Sequence, residues 1–439
     1  MLNCRPLFSL QKISQALCSF LVPLLLISST TIAQQATAMR LAKIEIVGLQ
    51  RYQQEQIIAA SGLQIGQHVD VAMFDAAAQK LLSLGIFKSV RFRYHFNDNQ
   101  MTVTFQVEEA QGAFPVIFDN FVWFSNKELA DAVRRELPVF DGTAPDTSGA
   151  INAITKALER LLQERNIPAH VEYLPSANQA GANVQHVFSA SGLSIPICSV
   201  NFPGASSAQE VELLKRSKPL LNTEYSMQFV TAFVKANLVP AYRQRGYLRA
   251  NFAAPQPKVD PSPAGNCKGV SLALPVEEGA VYNWAGAELT GNAALTTQEL
   301  ESALGMRSSE VADGLKIDKG LEAMMAAYGK KGYVKARVKA SPTFDDATHH
   351  VTYHLEITEG AQYHMGELMV VGLSESDERR LRDRWKLKSG DIYDASYLDE
   401  FVKKVVMEGR MFGGRPRTVG MSARPNLQSL TVDVTIKFN

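Results

Sequence analysis

Two periodicities take turns along this chain. Segments with apolar residues three and four apart read as amphipathic helices. Each is followed by a short apolar–polar alternation, the mark of a half-buried strand. GIFKSVRFRY starts at Gly85, NIPAHVEYL at Asn166, GYLRANFAA at Gly246, GYVKARVKA at Gly332 and GRMFGGRPRTV at Gly409, with spacings of 81, 80, 86 and 77 residues. The preceding helices show one apolar face each: Phe74, Ala77, Ala78, Leu81 and Leu82 in the first, Leu321, Met324, Met325 and Tyr328 in the fourth, Leu398, Phe401, Val402, Val405 and Val406 in the fifth. A repeat of this length sets the architecture before any single motif does.

Two further anchors recur. TVTFQVEEAQG, GVSLALPVEEGA and VTYHLEITEGA are strands that close on an acidic turn. IEIVGL (44–49), ICSVNFPG (197–204), WAGAELTGN (284–292) and GELMVVGL (366–373) are strands that run into a glycine turn and a polar helix start. In the most diverged unit VIFDNFVWF (116–124) serves as the opening strand and SNKELADAVRREL as the first helix. TTQEL after Leu295 fits an N-cap with a nearby Glu. Each unit therefore reads strand–helix–helix–strand–strand. The predicted class is α+β, a tandem array of five small β-α-α-β-β domains, each a sheet with two helices on one face. Units this small gain from contact with their neighbours.

The first 38 residues read as an address. Arg5 and Lys12 precede a 12-residue apolar run (16–27), and SSTTIAQQATA follows with small residues. That is the layout of a signal peptide, with cleavage expected after Ala33 or Ala38. Of the four cysteines, Cys4 and Cys18 would leave with it, and Cys198 and Cys267 would remain. A single pair in an exported protein reads as one disulfide. The chain has 45 basic and 44 acidic residues, which argues against nucleic-acid binding by bulk charge. No apolar run reaches the roughly 20 residues of a spanning helix.

The opening strand with its glycine turn (IEIVGL, ELTGN, MVVGL), the second turn (GLQIGQ, KLKSGD), the second-helix exit (LLSLGIFKSV, AYGKKGYVKARV) and the closing VEEG or ITEG together resemble the POTRA (polypeptide-transport-associated) domain. The chain resembles the periplasmic part of BamA-like outer-membrane assembly factors over about 40–439. The expected layout is a signal peptide at 1–38 and POTRA-like units at 39–111, 112–193 (diverged), 194–279, 280–360 and 361–439. The POTRA fold sets the first and third strands of a unit side by side and parallel, which would bring Cys198 and Cys267 to the same end of neighbouring strands. Family members continue into a C-terminal barrel. Here LTVDVTIKF reads as the third strand of the fifth unit and the sequence ends at Asn439, so a barrel is expected from a separate chain.

The resemblance implies a non-enzymatic periplasmic scaffold or chaperone for outer-membrane protein assembly or secretion, associated with the outer membrane. Its partners would be outer-membrane β-barrel proteins or a separately encoded assembly barrel, with peripheral membrane association allowed and no nucleic acid. The competing reading is a structural spacer or adaptor that binds no unfolded clients. An exposed strand edge accepts an extended peptide through main-chain hydrogen bonds. The predicted edges are the second strands: 90–96, 170–174, 248–253 and 334–340. In the first, Val90, Phe92, Tyr94 and Phe96 should face the helices, with Arg91, Arg93 and His95 towards solvent. The candidate binding residues are Arg91, Phe92, Arg93, Tyr94, Lys335, Arg337 and Lys339. Edge lysines and arginines also serve simply to prevent aggregation. A proline at Arg93 or Arg337 is expected to block strand addition. No nucleophile elbow, zinc-protease motif or phosphate loop is present, and no catalytic, cofactor or metal site is expected. His349, His350, His354 and His364 cluster without matching ligands and read as solvated.

Overall fold

The computed structural model describes residues 39–97, 100–177, 183–259, 267–404 and 418–439. The expected signal peptide, Val405, Val406 and most of GRMFGGRPRTV lie outside the described residues. The chain divides into two compact units, one holding the residues to Ser83 with Phe87–Glu109, the other Leu84–Ile86 with Ala110–Asn439.

In the first unit the elements are β1 (Met39–Val47), α1 (Gln54–Ser61), β2 (His68–Val69), α2 (Val71–Ser83), β3 (Phe87–Asn97) and β4 (Gln100–Glu109). The sheet order is β2-β1-β4-β3. β1 and β4 run parallel, and β3 pairs antiparallel with β4. Ile44, Ile46, Val103 and Phe105 are buried on one face of the sheet, as are Ile57 of α1 and Phe74, Ala77, Ala78 and Leu81 of α2. Leu82, predicted on the same helix face, is 45% exposed. The short β2 is an element the pattern did not predict. It is the end of the turn 62–70, and it pairs with Met39 and Arg40 because its alternation places Val69 in the core.

The same strand plan recurs in four more sheets of the second unit. First come β5 (Phe114–Phe118), α3 (Asn126–Glu136), β6 (Thr143–Ala144), α4 (Ser148–Glu164), β7 (His170–Ala177) and β8 (Asn183–Ser191), in order β6-β5-β8-β7. Next are β9 (Ile197–Asn201), α5 (Ser207–Ser217), α6 (Met227–Phe233), a π turn at Val234–Leu238, α7 (Val239–Arg243), β10 (Asn251–Phe252), β11 (Gln256–Val259), β12 (Val270–Ala273) and β13 (Val276–Glu277). Here β11-β12-β9 form a sheet and β10-β13 a ribbon. The last two sets are β14 (Asn283–Thr290), α8 (Thr297–Leu304), α9 (Gly314–Lys330), β15 (Arg337–Asp345), β16 (His350–Thr358), and β17 (His364–Val371), α10 (Glu375–Arg384), α11 (Tyr397–Phe401), β18 (Val419–Asn426), β19 (Thr431–Phe438). In every set the opening strand is parallel to the closing strand, which lies in the middle. LTVDVTIKF is accordingly the central strand of its sheet, with Val432, Val434, Ile436 and Phe438 buried.

Local chemistry sets the element ends. Ser125 accepts from the Glu128 amide at 3.2 Å and Thr296 from the Glu299 amide at 3.2 Å, each with the reciprocal bond of a capping box. The opening strand predicted over 116–124 stops at Phe118. There the Asn120 side chain bonds both the amide and the carbonyl of Ala190, at 2.7 and 2.9 Å, and so takes the place of further backbone pairing. The predicted second strand 248–253 is also corrected. Its first residues form a turn, and the sheet's outer strand is β11, Gln256–Val259.

Cys198 and Cys267 are bonded, with Cα atoms 5.8 Å apart. The parallel pairing of β9 with β12 places both at the same end of neighbouring strands, as the layout required.

Candidate functional site

The outer strand of each sheet pairs on one side only. In β3 nine consecutive residues, Ser89 to Asn97, pair with β4, after a bulge at Lys88. Phe92 and Tyr94 face α2, each with its ring centroid 6.1 Å from Phe74. Arg91, Arg93 and His95 lie exposed on the opposite face. Phe96, expected against the helices, is 66% exposed. It follows Phe92 and Tyr94 on the inner row, towards the open end of the strand.

The other outer strands share a residue that β3 lacks. Pro175, Pro257, Pro342 and Pro425 stand within β7, β11, β15 and β18, opposite His186, Leu272, Tyr353 and Val432. These four partners are all buried. The prolines therefore sit on the helix-facing row. A proline has no N–H and is tolerated in a ladder only where that position points away from the paired strand. The helix-facing row of these outer strands thus points its amides to the open side. A second strand arriving there loses a hydrogen bond and meets the pyrrolidine ring.

Register extends this to β3. Just past the irregularity in the parallel pairing, Val103 pairs with Ile44, Leu272 with Val200 and Tyr353 with Ala287, each in the second pair after the break. Their partners on the outer strands are Tyr94, Pro257 and Pro342. Tyr94 occupies the position that is proline in two sibling sheets. Its amide points outward, together with those of Val90, Phe92 and Phe96. Arg91 and Arg93 point their amides into the sheet, so a proline at Arg93 would break the ladder that supports the edge. Such a substitution would therefore block strand addition by disrupting the sheet and not by removing an outward donor, and the same holds at Arg337. The signal stood in the sequence as YLPSA, PQPKV, ASPTF and ARPNL.

In comparisons with known proteins, the POTRA family, described as surface antigen variable number repeat, matches residues 39–110 and 282–360. Both stretches are POTRA domains. A protein of Treponema pallidum (strain Nichols) described as "Putative outer membrane protein assembly factor" is 21% identical over 235 residues, 52% of this chain. The chain spans 28% of that relative's length. Among solved structures, POTRA3-5 of Haemophilus influenzae BamA is 22% identical, with a TM-score of 0.45, over 56% of this chain and 96% of that one. The N-terminal domain of Omp85 from Thermosynechococcus elongatus is 12% identical, with a TM-score of 0.25, over 56% of this chain and 98% of that one.

In the second matched POTRA domain the candidate edge is shorter than predicted. β15 begins at Arg337, and Lys335 lies in the turn before it. Lys335, Arg337 and Lys339 are all exposed, as expected. Lys339 sits 3.6 Å from Glu356 on the neighbouring strand. Of the nearby histidines, His354 lies between Glu288 at 2.9 Å and Thr343 at 3.0 Å, and His350 bonds the Thr348 carbonyl.

The acidic turns that close the POTRA repeat serve the fold. Glu109 accepts from the amides of Gln50 and Arg51 at 2.8 and 3.0 Å. Glu359 accepts from the amides of Ala293 and Ala294 at 2.7 and 2.8 Å and from the Tyr328 hydroxyl at 2.9 Å. Glu278 receives the Ser206 amide and the Tyr242 hydroxyl, at 2.9 and 2.8 Å. Burial disfavours the Glu359 carboxylate, but the two amides and the hydroxyl outweigh it and hold its pKa below the ordinary range. The same burial, with the bond to Glu359, pushes the Tyr328 hydroxyl far up. The turn beside each acid needs glycine. Gly48 and Gly291 have φ of +103° and +81°, and a Cβ there would meet the Val107 and Ile357 carbonyl oxygens at 2.1 and 2.2 Å.

Consecutive sheets of the second unit are joined at the second-helix exit. The Gly246 carbonyl accepts from the Tyr282 amide at 3.0 Å, and the Gly332 carbonyl accepts from the Tyr363 amide at 2.9 Å. Arg243 adds a bidentate pair to Asp318 at 2.5 and 2.9 Å. That joint is a role for the GY motif that the sequence reading did not assign.

Proposed function

We propose that this chain is a non-enzymatic POTRA array of five units that works in the periplasm at the outer membrane, in the assembly or secretion of outer-membrane β-barrel proteins. It holds extended client or partner segments by adding them as strands to a sheet edge. The observation that carries this reading is the β3 edge, nine paired residues long, free of proline and lined by the exposed Arg91, Arg93 and Tyr94.

A second reading has its own support. The Tyr282–Gly246 and Tyr363–Gly332 bonds and the Arg243–Asp318 pair tie consecutive sheets into a stiff run, which suits a spacer between envelope components.

In-cell photo-crosslinking separates the two. A crosslinking residue at Arg93 should capture many β-barrel chains, and Tyr94→Pro should abolish that capture. Capture of one stoichiometric envelope protein, unchanged by Tyr94→Pro, would move the assignment to the spacer.

A further inference from the structure

Resting on the strand-capture reading, we infer that β3 selects an extended segment in which apolar residues alternate with acidic ones. A strand laid beside β3 has two rows of side chains, about 5 Å from the rows of β3. Its inner row meets Phe92, Tyr94 and Phe96. Tyr94 and Phe96 are 42% and 66% exposed, with Tyr94 ringed by Phe74 and Phe92. Apolar side chains there would cover aromatic surface that the unit itself leaves open.

The outer row meets Arg91, Arg93 and His95. The other charges near β3 on that face are paired, and Arg40, exposed at the start of β1, adds a further cation to it. Lys43 lies 2.6 Å from Glu45, which also accepts from the Thr104 hydroxyl at 3.1 Å. Lys88 lies 2.8 Å from Glu108, the carboxylate diagonal to Arg91. Arg91 and Arg93 make no ion pair among the described residues, which leaves two cations in excess along the edge where a strand would dock. β15 lacks this combination: Lys339 already faces Glu356, and Pro342 stands where β3 has Tyr94. Carboxylates two residues apart on the incoming strand would face Arg91 and Arg93 together. Each opposite-charge cross-strand pair is worth roughly 1.5- to 5-fold in affinity, so two should discriminate by about tenfold.

The test uses the full chain and three labelled seven-residue peptides, read by fluorescence anisotropy at low and moderate salt. One alternates Val, Tyr or Phe with Glu. The second replaces every Glu with Lys. The third keeps the first composition with the Glu residues in one block. The expected result is binding of the alternating acidic peptide about tenfold tighter than the Lys peptide, narrowing with salt. Arg91→Glu with Arg93→Glu should reverse the preference. Both substitutions are on the exposed face, so the sheet should remain. Equal binding of the acidic and Lys peptides, lost in Tyr94→Pro, would overturn the charge selection and leave strand capture standing. Binding by none of the peptides, or binding that Tyr94→Pro leaves unchanged, would overturn both.

Discussion

The outer strands of the two matched POTRA domains carry the same basic alternation, Arg91-Phe92-Arg93-Tyr94 in β3 and Arg337-Val338-Lys339-Ala340 in β15. Their edges differ nonetheless. β3 offers an unbroken outward row with exposed aromatics and two arginines that make no ion pair among the described residues, whereas β15 has Pro342 on that row and Lys339 beside Glu356. Charge on the outer face therefore does not identify a strand acceptor. What separates the two edges is whether proline stands on the row whose amides point outward, and register decides which row that is.

Proline placement breaks this comparison most strongly. Arg93→Pro removes an amide directed at β4 and should cost the first unit about 2–4 kcal/mol in urea unfolding. Tyr94→Pro removes only an outward amide and the ring contacts with Phe74 and Phe92, and should cost about 1 kcal/mol. Equal destabilisation by the two would refute the assigned row directions.

Replacing Cys198 and Cys267 by Ser tests whether the two compact units are energetically separate. The second unit should lose about 2–4 kcal/mol of stability. Peptide binding at β3 should be unchanged, and a parallel loss of binding would show the units to be coupled.

The acidic turn is a smaller lever. Glu359→Gln should cost about 1–2 kcal/mol in thermal or urea unfolding, since it weakens bonds from two amides and a tyrosine. The pKa of Glu359 is lowered on folding. Its contribution is therefore present above the unfolded value and is lost as pH falls through the folded one, below about 4.5. Glu299, held near 2 by the Thr296 amide and hydroxyl and by Lys331, adds a second acid-sensitive group over about pH 4.5 to 2. A stability profile flat over that range would contradict both.

Pro342→Tyr should have the smallest effect on folding, about 0.4–1 kcal/mol, through a freer unfolded chain. Yet it should open β15. Weak concentration-dependent association or strand-peptide binding, absent from the parent, is the expected outcome by sedimentation.

Much of this was legible in the residues. The eighty-residue repeat, the opening and closing strands and the parallel pairing implied by the resemblance follow from short motifs that recur along the chain, and the Cys198–Cys267 bond from the one cysteine pair outside the expected signal peptide. The outward face of Arg91 and Arg93 was legible too, because alternation in a half-buried strand assigns faces directly. The misread elements include one in which a side chain replaced backbone, as Asn120 does at the end of β5, one in which two residues completed a neighbour's ladder, as β2 does, and the strand expected over 248–253, which begins as a turn.

Sequence alone determined the fold class, the order of the main helices and strands and the faces of Arg91 and Arg93, since these depend on periodicity and local geometry. Only the tertiary structure decided which edge is open. The same proline means nothing for strand addition until the register shows whether its missing N–H points into the sheet or away from it, and register is a relation between strands that no single segment contains.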